Sequence, residues 1–162
     1  MGGTTYRMVL DGVDMEKGDG QLVRDVMTRN VLTVSPDTSA YRAAFLMAER
    51  GVGSCVVMRD DKLVGIVTER DLVRRVLAKG LPAKRTRIDR VMSSPVIVVG
   101  EGATLDEAID IMADQNVKRL VVVGDAGVVG VVSVTDLMRV MGRTGTYLRG
   151  LPRVFIGRES ET

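Results

Sequence analysis

The chain has no histidine and no tryptophan, a single cysteine, and only three tyrosines and two phenylalanines among 162 residues. Without histidine there is no imidazole to carry a proton near neutral pH or to ligate a metal. One thiol, Cys55, cannot form an internal disulfide, which fits a reducing compartment. Cys55 stands in the apolar run Cys55-Val56-Val57-Met58 and reads as a core residue rather than a nucleophile. No apolar stretch approaches the roughly 20 residues that span a bilayer. No signal peptide is evident either, so the expectation is a cytoplasmic protein with no membrane partner. Nothing resembles a catalytic triad, a phosphate-binding loop or a metal cage, so no enzyme is expected. The net charge of +2 singles out no partner. With aromatics scarce, Val, Leu, Ile, Ala and Met must fill the core.

What is present is a repeat. Gly65-Ile66-Val67-Thr68-Glu69-Arg70-Asp71 returns 65 residues later as Gly130-Val131-Val132-Ser133-Val134-Thr135-Asp136. Each copy has Gly, two β-branched apolar residues, a hydroxyl and, three residues on, Asp. The pattern suits a strand end turning into a helix. Glycine allows close approach of backbone or ligand, and the hydroxyl and Asp fall where a helix exposes its free N–H groups. Two readings are open. Thr68 and Ser133 are helix caps with the Asp residues as dipole partners, or the motif binds an anion and a vicinal diol. The whole heptapeptide recurs in register, which capping alone does not require. The same offset carries Val26-Met27 onto Val91-Met92, Met47-Ala48 onto Met112-Ala113 and Val56-Val57 onto Val121-Val122. Across residues 23–76 and 88–141, 17 of 54 aligned pairs are identical without a gap, which marks an internal duplication.

Each copy spells β-α-β-β-α. Residues 1–20 form an N-terminal extension with one extra strand expected near Tyr6–Leu10. Repeat one, 21–78, opens with a short helix at Gln21–Met27. A strand (Val31–Val34) follows, then an amphipathic helix with Ala40, Ala43, Ala44, Met47 and Ala48 at helical spacing. Strands at Ser54–Met58 and Leu63–Val67 flank a hairpin, and a helix over Glu69–Ala78 closes the repeat. Residues 79–87 read as a linker. Repeat two, 88–141, replays the order, with Thr104 capping a helix whose Leu105, Ala108, Ile109, Met112 and Ala113 face inward. Residues 142–162 form a C-terminal extension whose apolar stretch Tyr147–Ile156 is expected to pack on the module or a second copy. The fold class is α+β, with α/β-like sheets covered by helices.

These features resemble a tandem pair of cystathionine-β-synthase (CBS) domains, often called a Bateman module. The resemblance rests on Asp25-Val26-Met27-Thr28 and Arg90-Val91-Met92-Ser93, on Pro36-Asp37-Thr38, on Asn116 to Val123, and on the two Gly…Thr/Ser…Asp motifs. It covers residues 21–141 and is nearest to stand-alone CBS-pair proteins. It implies two repeats packed sheet to sheet with pseudo-twofold symmetry, and two clefts that bind AMP, ADP, ATP or S-adenosylmethionine. The motif Asp would hold the ribose hydroxyls, with Thr or Ser near phosphate. The preferred second cleft would use Val131, Ser133, Thr135 and Asp136, the basic pair Lys118-Arg119, and Ser35 with Ala40 flanking the adenine. The first cleft would use Ile66, Thr68, Arg70 and Asp71, with Gly100 and Leu105 opposite. There Gly53-Ser54 replaces the basic pair, and Arg70 would supply the cation.

The resemblance implies a non-catalytic nucleotide-binding regulatory module, a homodimer, and a regulated enzyme or transporter as partner. The apolar content of the paired helices (Leu72, Val73, Val76, Leu137, Met138, Met141) is the sequence reason for the dimer. A second reading is a docking module with vestigial clefts. A third is a nucleic-acid-associated protein, using a basic rim of Arg74, Arg75, Lys79, Lys84, Arg85, Arg87 and Arg90 around the linker.

Overall fold

In the computed structural model, which describes residues 6–8 and 20–144, the chain divides into two compact units. The first contains Asn30–Val96, and the second contains residues 20–29 together with residues 97–144. Residues 147–156, expected to pack as an apolar tail, lie outside the described residues. A short strand, β1 (Tyr6–Met8), falls within the span where an extra strand was expected.

In the first unit β2 (Thr33–Val34) runs parallel to β3 (Ser54–Arg59), which pairs antiparallel with β4 (Lys62–Thr68). Helix α2 (Ala40–Arg50) connects β2 to β3. Ser39 accepts from the Arg42 N–H at its start, and Gly51 at φ 63° ends it in the left-handed conformation that glycine adopts without strain. The second unit repeats this. β5 (Val96–Gly100) is parallel to β6 (Arg119–Gly124), β6 is antiparallel to β7 (Gly127–Ser133), and α4 (Leu105–Asp114) connects β5 to β6. Thr104 and Glu107 close a reciprocal capping box on α4. Even the β-bulge is duplicated, at Val57/Met58 and at Val122/Val123.

The openings of the two repeats are exchanged. Helix α1 (Val23–Val26) belongs to the second unit, whereas the single 3₁₀ turn Ile88–Arg90 belongs to the first. The Val23 N–H donates to Ala103 O and the Arg24 N–H to Glu101 O; Ile88 and Asp89 do the same to Thr38 O and Pro36 O. Thr28 exchanges both backbone bonds with Val131, and Ser93 does so with Ile66. The motif glycines make room for these openings. A Cβ on Gly65 would overlap Met92 Sδ, and one on Gly130 would lie 2.5 Å from Met27 Sδ and 3.1 Å from Thr28 O.

The first core gathers Ala43, Met47, Cys55, Val57, Val67, Val76, Ile88 and Val91; the second gathers Val23, Met27, Ala108, Met112, Leu120, Val132 and Leu137. Burial pushes the Cys55 thiol up to about 12, helped by the nearby Asp71 charge, which fits its reading as a core residue. Two expectations need correction. Val76 and Leu137 are buried in their own units, and among the paired-helix side chains that the structure describes Val73 and Met138 are the large exposed apolar ones. The helix expected over Glu69–Ala78 is α3 (Glu69–Leu72) continued by a wider π turn (Val73–Leu77), which the Ala78 N–H closes by donating five residues back to Val73 O. The linker docks on the first unit. Thr86 is buried, its carbonyl accepts from Ala40 N–H at 2.7 Å, and Ala83 O accepts from Tyr41 N–H, so it closes the exposed donors of α2.

Candidate functional site

Both motifs form the same local structure. At the end of β4 the Thr68 N–H donates to Asp71 Oδ2 at 2.9 Å, and the Asp71 N–H returns to Thr68 Oγ1 at 3.2 Å. At the end of β7, leading into α5 (Val134–Thr144), the Ser133 N–H donates to Asp136 Oδ2 at 2.8 Å and the Asp136 N–H returns to Ser133 Oγ at 3.3 Å. The capping reading is therefore correct at the level of backbone geometry. It consumes only half of each carboxylate. Oδ1 of Asp71 has a loose ion pair to Arg75 at 3.6 Å, and Oδ1 of Asp136 one to Arg139 at 3.7 Å. Both Asp side chains keep a small exposed fraction, 13% and 14%. A carboxylate fixed by its cap and still presenting one oxygen suits a donor such as a hydroxyl.

The surroundings differ. Arg119 lies directly across the ladder from Ser133, and Ser54 occupies that place across from Thr68. Side chains at directly opposed positions share a sheet face, so the second motif has a guanidinium beside it and the first a hydroxyl. Lys118 is exposed, and its carbonyl accepts from the Val134 N–H; Gly53 O does this for Glu69 N–H. Among the described residues neither Lys118 nor Arg119 has an ion-pair partner. The hydroxyls differ as well. Ser133 Oγ donates to Asp136 Oδ2 at 2.7 Å, whereas Thr68 makes no such bond to Asp71.

Val131 and Ile66 are half-buried, and their backbone donors and acceptors are used by Thr28 and Ser93, so only their side chains could meet a ligand. Thr135 and Arg70 are exposed. In the first unit Ser35 is exposed and donates to Asp37 at 2.6 Å, which holds the Asp37 carboxyl below its ordinary value. Ser35 and Asp37 border an open pocket of about 370 Å³ with Arg59 and Arg87. Ala40 is 2% exposed and part of its unit's core, so it offers no surface to a ligand. In the second unit Gly100 has open space where a Cβ would stand, and Leu105 is half-buried against the core.

Sequence reasoning placed Arg75 in a solvated basic rim. Its guanidinium instead donates to Val91 O at 2.9 Å and Met92 O at 3.0 Å beside Asp71, tying the exchanged opening to the motif. The i,i+4 spacing from Asp71 was the signal for the ion pair; nothing local marks the carbonyls. Arg87 is also committed, to Asp89 at 2.7 and 3.2 Å, which thins the rim further. Among the described residues no group of three or more potential ligands could hold a metal, and no helix is long and apolar enough to cross a membrane.

This geometry can be set beside known proteins. The CBS domain family matches residues 23–78 and 88–143. The uncharacterized protein MK0525 of Methanopyrus kandleri is 38% identical over 120 residues, which cover 73% of this chain and 61% of that protein. An inosine-5'-monophosphate dehydrogenase of Thermoplasma acidophilum is 37% identical over 70% of this chain, a stretch that makes up 22% of the enzyme. The solved CBS domain pair of protein MJ0100, in complex with 5-methylthioadenosine and S-adenosyl-L-methionine, superposes with a TM-score of 0.70 at 27% identity, covering 77% of this chain and 98% of that one. Two matched copies at the constant offset, each closing the same hydroxyl-to-carboxylate cap, leave one conclusion: this chain belongs to the CBS-domain family, as a tandem pair.

Proposed function

We propose that the chain is a non-catalytic regulatory module that binds an adenine nucleotide, AMP foremost, with ADP, ATP and S-adenosylmethionine as related ligands. The observation that carries this is the half-used carboxylate of Asp136 beside Ser133 and Arg119. The free oxygen accepts from a ribose diol while Arg119 and Lys118 take phosphate. Asp71 with Thr68 and Arg70 offers the same diol contact with a weaker cation set. The adenosine ligands of the MJ0100 pair support the ligand class. The match to a small part of a dehydrogenase supports control of an enzyme as the purpose. A homodimer in the cytoplasm is the expected state.

Calorimetry with AMP against 2′-deoxy-AMP tests the reading. AMP should bind about tenfold or more tightly, since a charge-assisted hydrogen bond contributes on the order of 1.5–3 kcal/mol. Equal affinities would reduce Asp136 to a helix cap.

A further inference from the structure

The two motifs differ in what stands beside the carboxylate. Ser54 on β3 and Thr68 on β4 are directly opposed and both half-buried, so the first sheet presents two hydroxyls on one face. Thr68 Oγ1 accepts the Asp71 N–H, but among the described residues neither hydroxyl has an acceptor for its own proton. At the second motif a half-buried guanidinium, Arg119, opposes Ser133, and Ser133 Oγ gives its proton to Asp136 Oδ2 at 2.7 Å. Neighbouring cations do not remove this difference. Arg75 stands 3.6 Å from Asp71 and Arg139 3.7 Å from Asp136, so each carboxylate has one. Arg75 is further committed to Val91 O and Met92 O. Arg70 is exposed, at the place that exposed Thr135 takes in the second motif and outside the opposed pair.

A phosphate that settles on a half-buried face gives up water, which a cation replaces and a neutral hydroxyl replaces poorly. Arg119 is such a cation, and Ser54 stands where the first motif would need one. A ribose 5′-hydroxyl both donates and accepts, so two hydroxyls with unspent protons match it without any charge. We propose that the two motifs take different ligand classes. The Thr68–Asp71 motif takes an unphosphorylated adenine nucleoside, its diol on Asp71 and its 5′-hydroxyl on Ser54 and Thr68. The Ser133–Asp136 motif takes the nucleotide, its phosphate on Arg119. A chain with one motif of each kind responds to a nucleotide and to the nucleoside that its dephosphorylation leaves.

This assignment rests on the nucleotide-binding reading, and calorimetry on the full chain separates the two. In the wild type, AMP should fill one equivalent per chain, and adenosine added afterwards should fill a second. Asp71→Ala should remove the adenosine equivalent and Asp136→Ala the AMP equivalent. Ser54→Arg copies Arg119 at the same ladder position, a place where the duplicated scaffold already carries that side chain. It should raise the affinity of the first motif for AMP relative to adenosine about tenfold. The wild-type stoichiometry needs no substitution, so it stands even if a variant fails to fold. Two equivalents of AMP of like affinity, or adenosine that adds nothing after AMP, overturn the division of ligands while the nucleotide reading stands. A Ser54→Arg variant that folds and keeps the wild-type preference overturns the role given to the opposed pair. A chain that binds neither AMP nor adenosine overturns both the assignment and the reading beneath it.

Discussion

At the end of β4, Thr68 and Asp71 close their capping box across from Ser54; at the end of β7, Ser133 and Asp136 close theirs across from Arg119. The backbone geometry is shared because a helix start demands it. The cations are not shared, because capping has no use for them. Arg75 anchors the first motif to the carbonyls of Val91 and Met92, while the aligned position in the second unit is Val140. The two copies therefore share their caps and differ in the charge set around them.

The largest expected effect breaks the symmetry of the exchanged openings. At Gly130 a new methyl meets the backbone carbonyl of Thr28 as well as Met27, whereas at Gly65 its three nearest atoms all belong to the flexible Met92 side chain. Gly130→Ala should therefore cost about 1–3 kcal/mol, as overpacking does, and Gly65→Ala less. Urea midpoints of the two variants measure the difference. Equal losses would mean that the two openings are packed alike.

The ligand comparison comes next. Asp136→Ala should weaken AMP about tenfold or more, since 1.4 kcal/mol is one decade, and Asp71→Ala should affect the tightest site less. Arg119→Ala should weaken AMP much more than adenosine, because it removes a phosphate contact alone. Isothermal calorimetry with the two ligands separates these outcomes. A larger loss from Asp71→Ala would reverse the preference for the second motif.

Much of this was legible in the sequence. The offset, the two sheets, both connecting helices and the hydroxyl–carboxylate motif follow from periodicity and local turn chemistry. Which unit receives Met27 and Met92 was not, because hydrophobic spacing marks a residue as buried without naming its non-local partner. Ala44 and Ala48 share the helical spacing of Ala40, Ala43 and Met47, yet the structure leaves both exposed, because spacing alone does not say how wide the buried stripe is. The docked linker was hidden because its bonds to α2 come from the carbonyls of Ala83 and Thr86, which no side chain advertises.

A smaller effect concerns the two arginines beside the carboxylates. Arg139 makes only a long pair to Asp136 from a side chain that is 66% exposed, and Arg139→Met should leave stability unchanged within about 0.5 kcal/mol. Arg75 adds two backbone acceptors, so Arg75→Met should cost on the order of 1 kcal/mol. Denaturant unfolding of the pair decides whether the first motif is tied to its exchanged opening.

The smallest effect is in acid, and it belongs to the first unit alone. The hydrogen bonds from Arg87 hold the Asp89 carboxyl below its ordinary 3.8, and the Ser35 hydroxyl does so for Asp37. The aligned residues of the second unit are Leu22, Arg24 and Gly102, which cannot repeat the arrangement. A carboxyl whose folded value is depressed binds fewer protons folded than unfolded. Its contribution is therefore present above the ordinary value and is lost as pH falls through the depressed one. Ser35, Asp37 and Arg87 are exposed and Asp89 is half-buried at the surface, so solvent screening keeps the contribution small. As pH falls below the ordinary 3.8 towards the depressed values, amide exchange should accelerate at Asp37–Thr38 and Ile88–Asp89, relative to the intrinsic rates, before it does at Ala103 and Val23. Arg87→Leu should reduce that difference and Arg87→Leu combined with Ser35→Ala should abolish it; its persistence in the double variant would assign the acid sensitivity to groups outside this cluster.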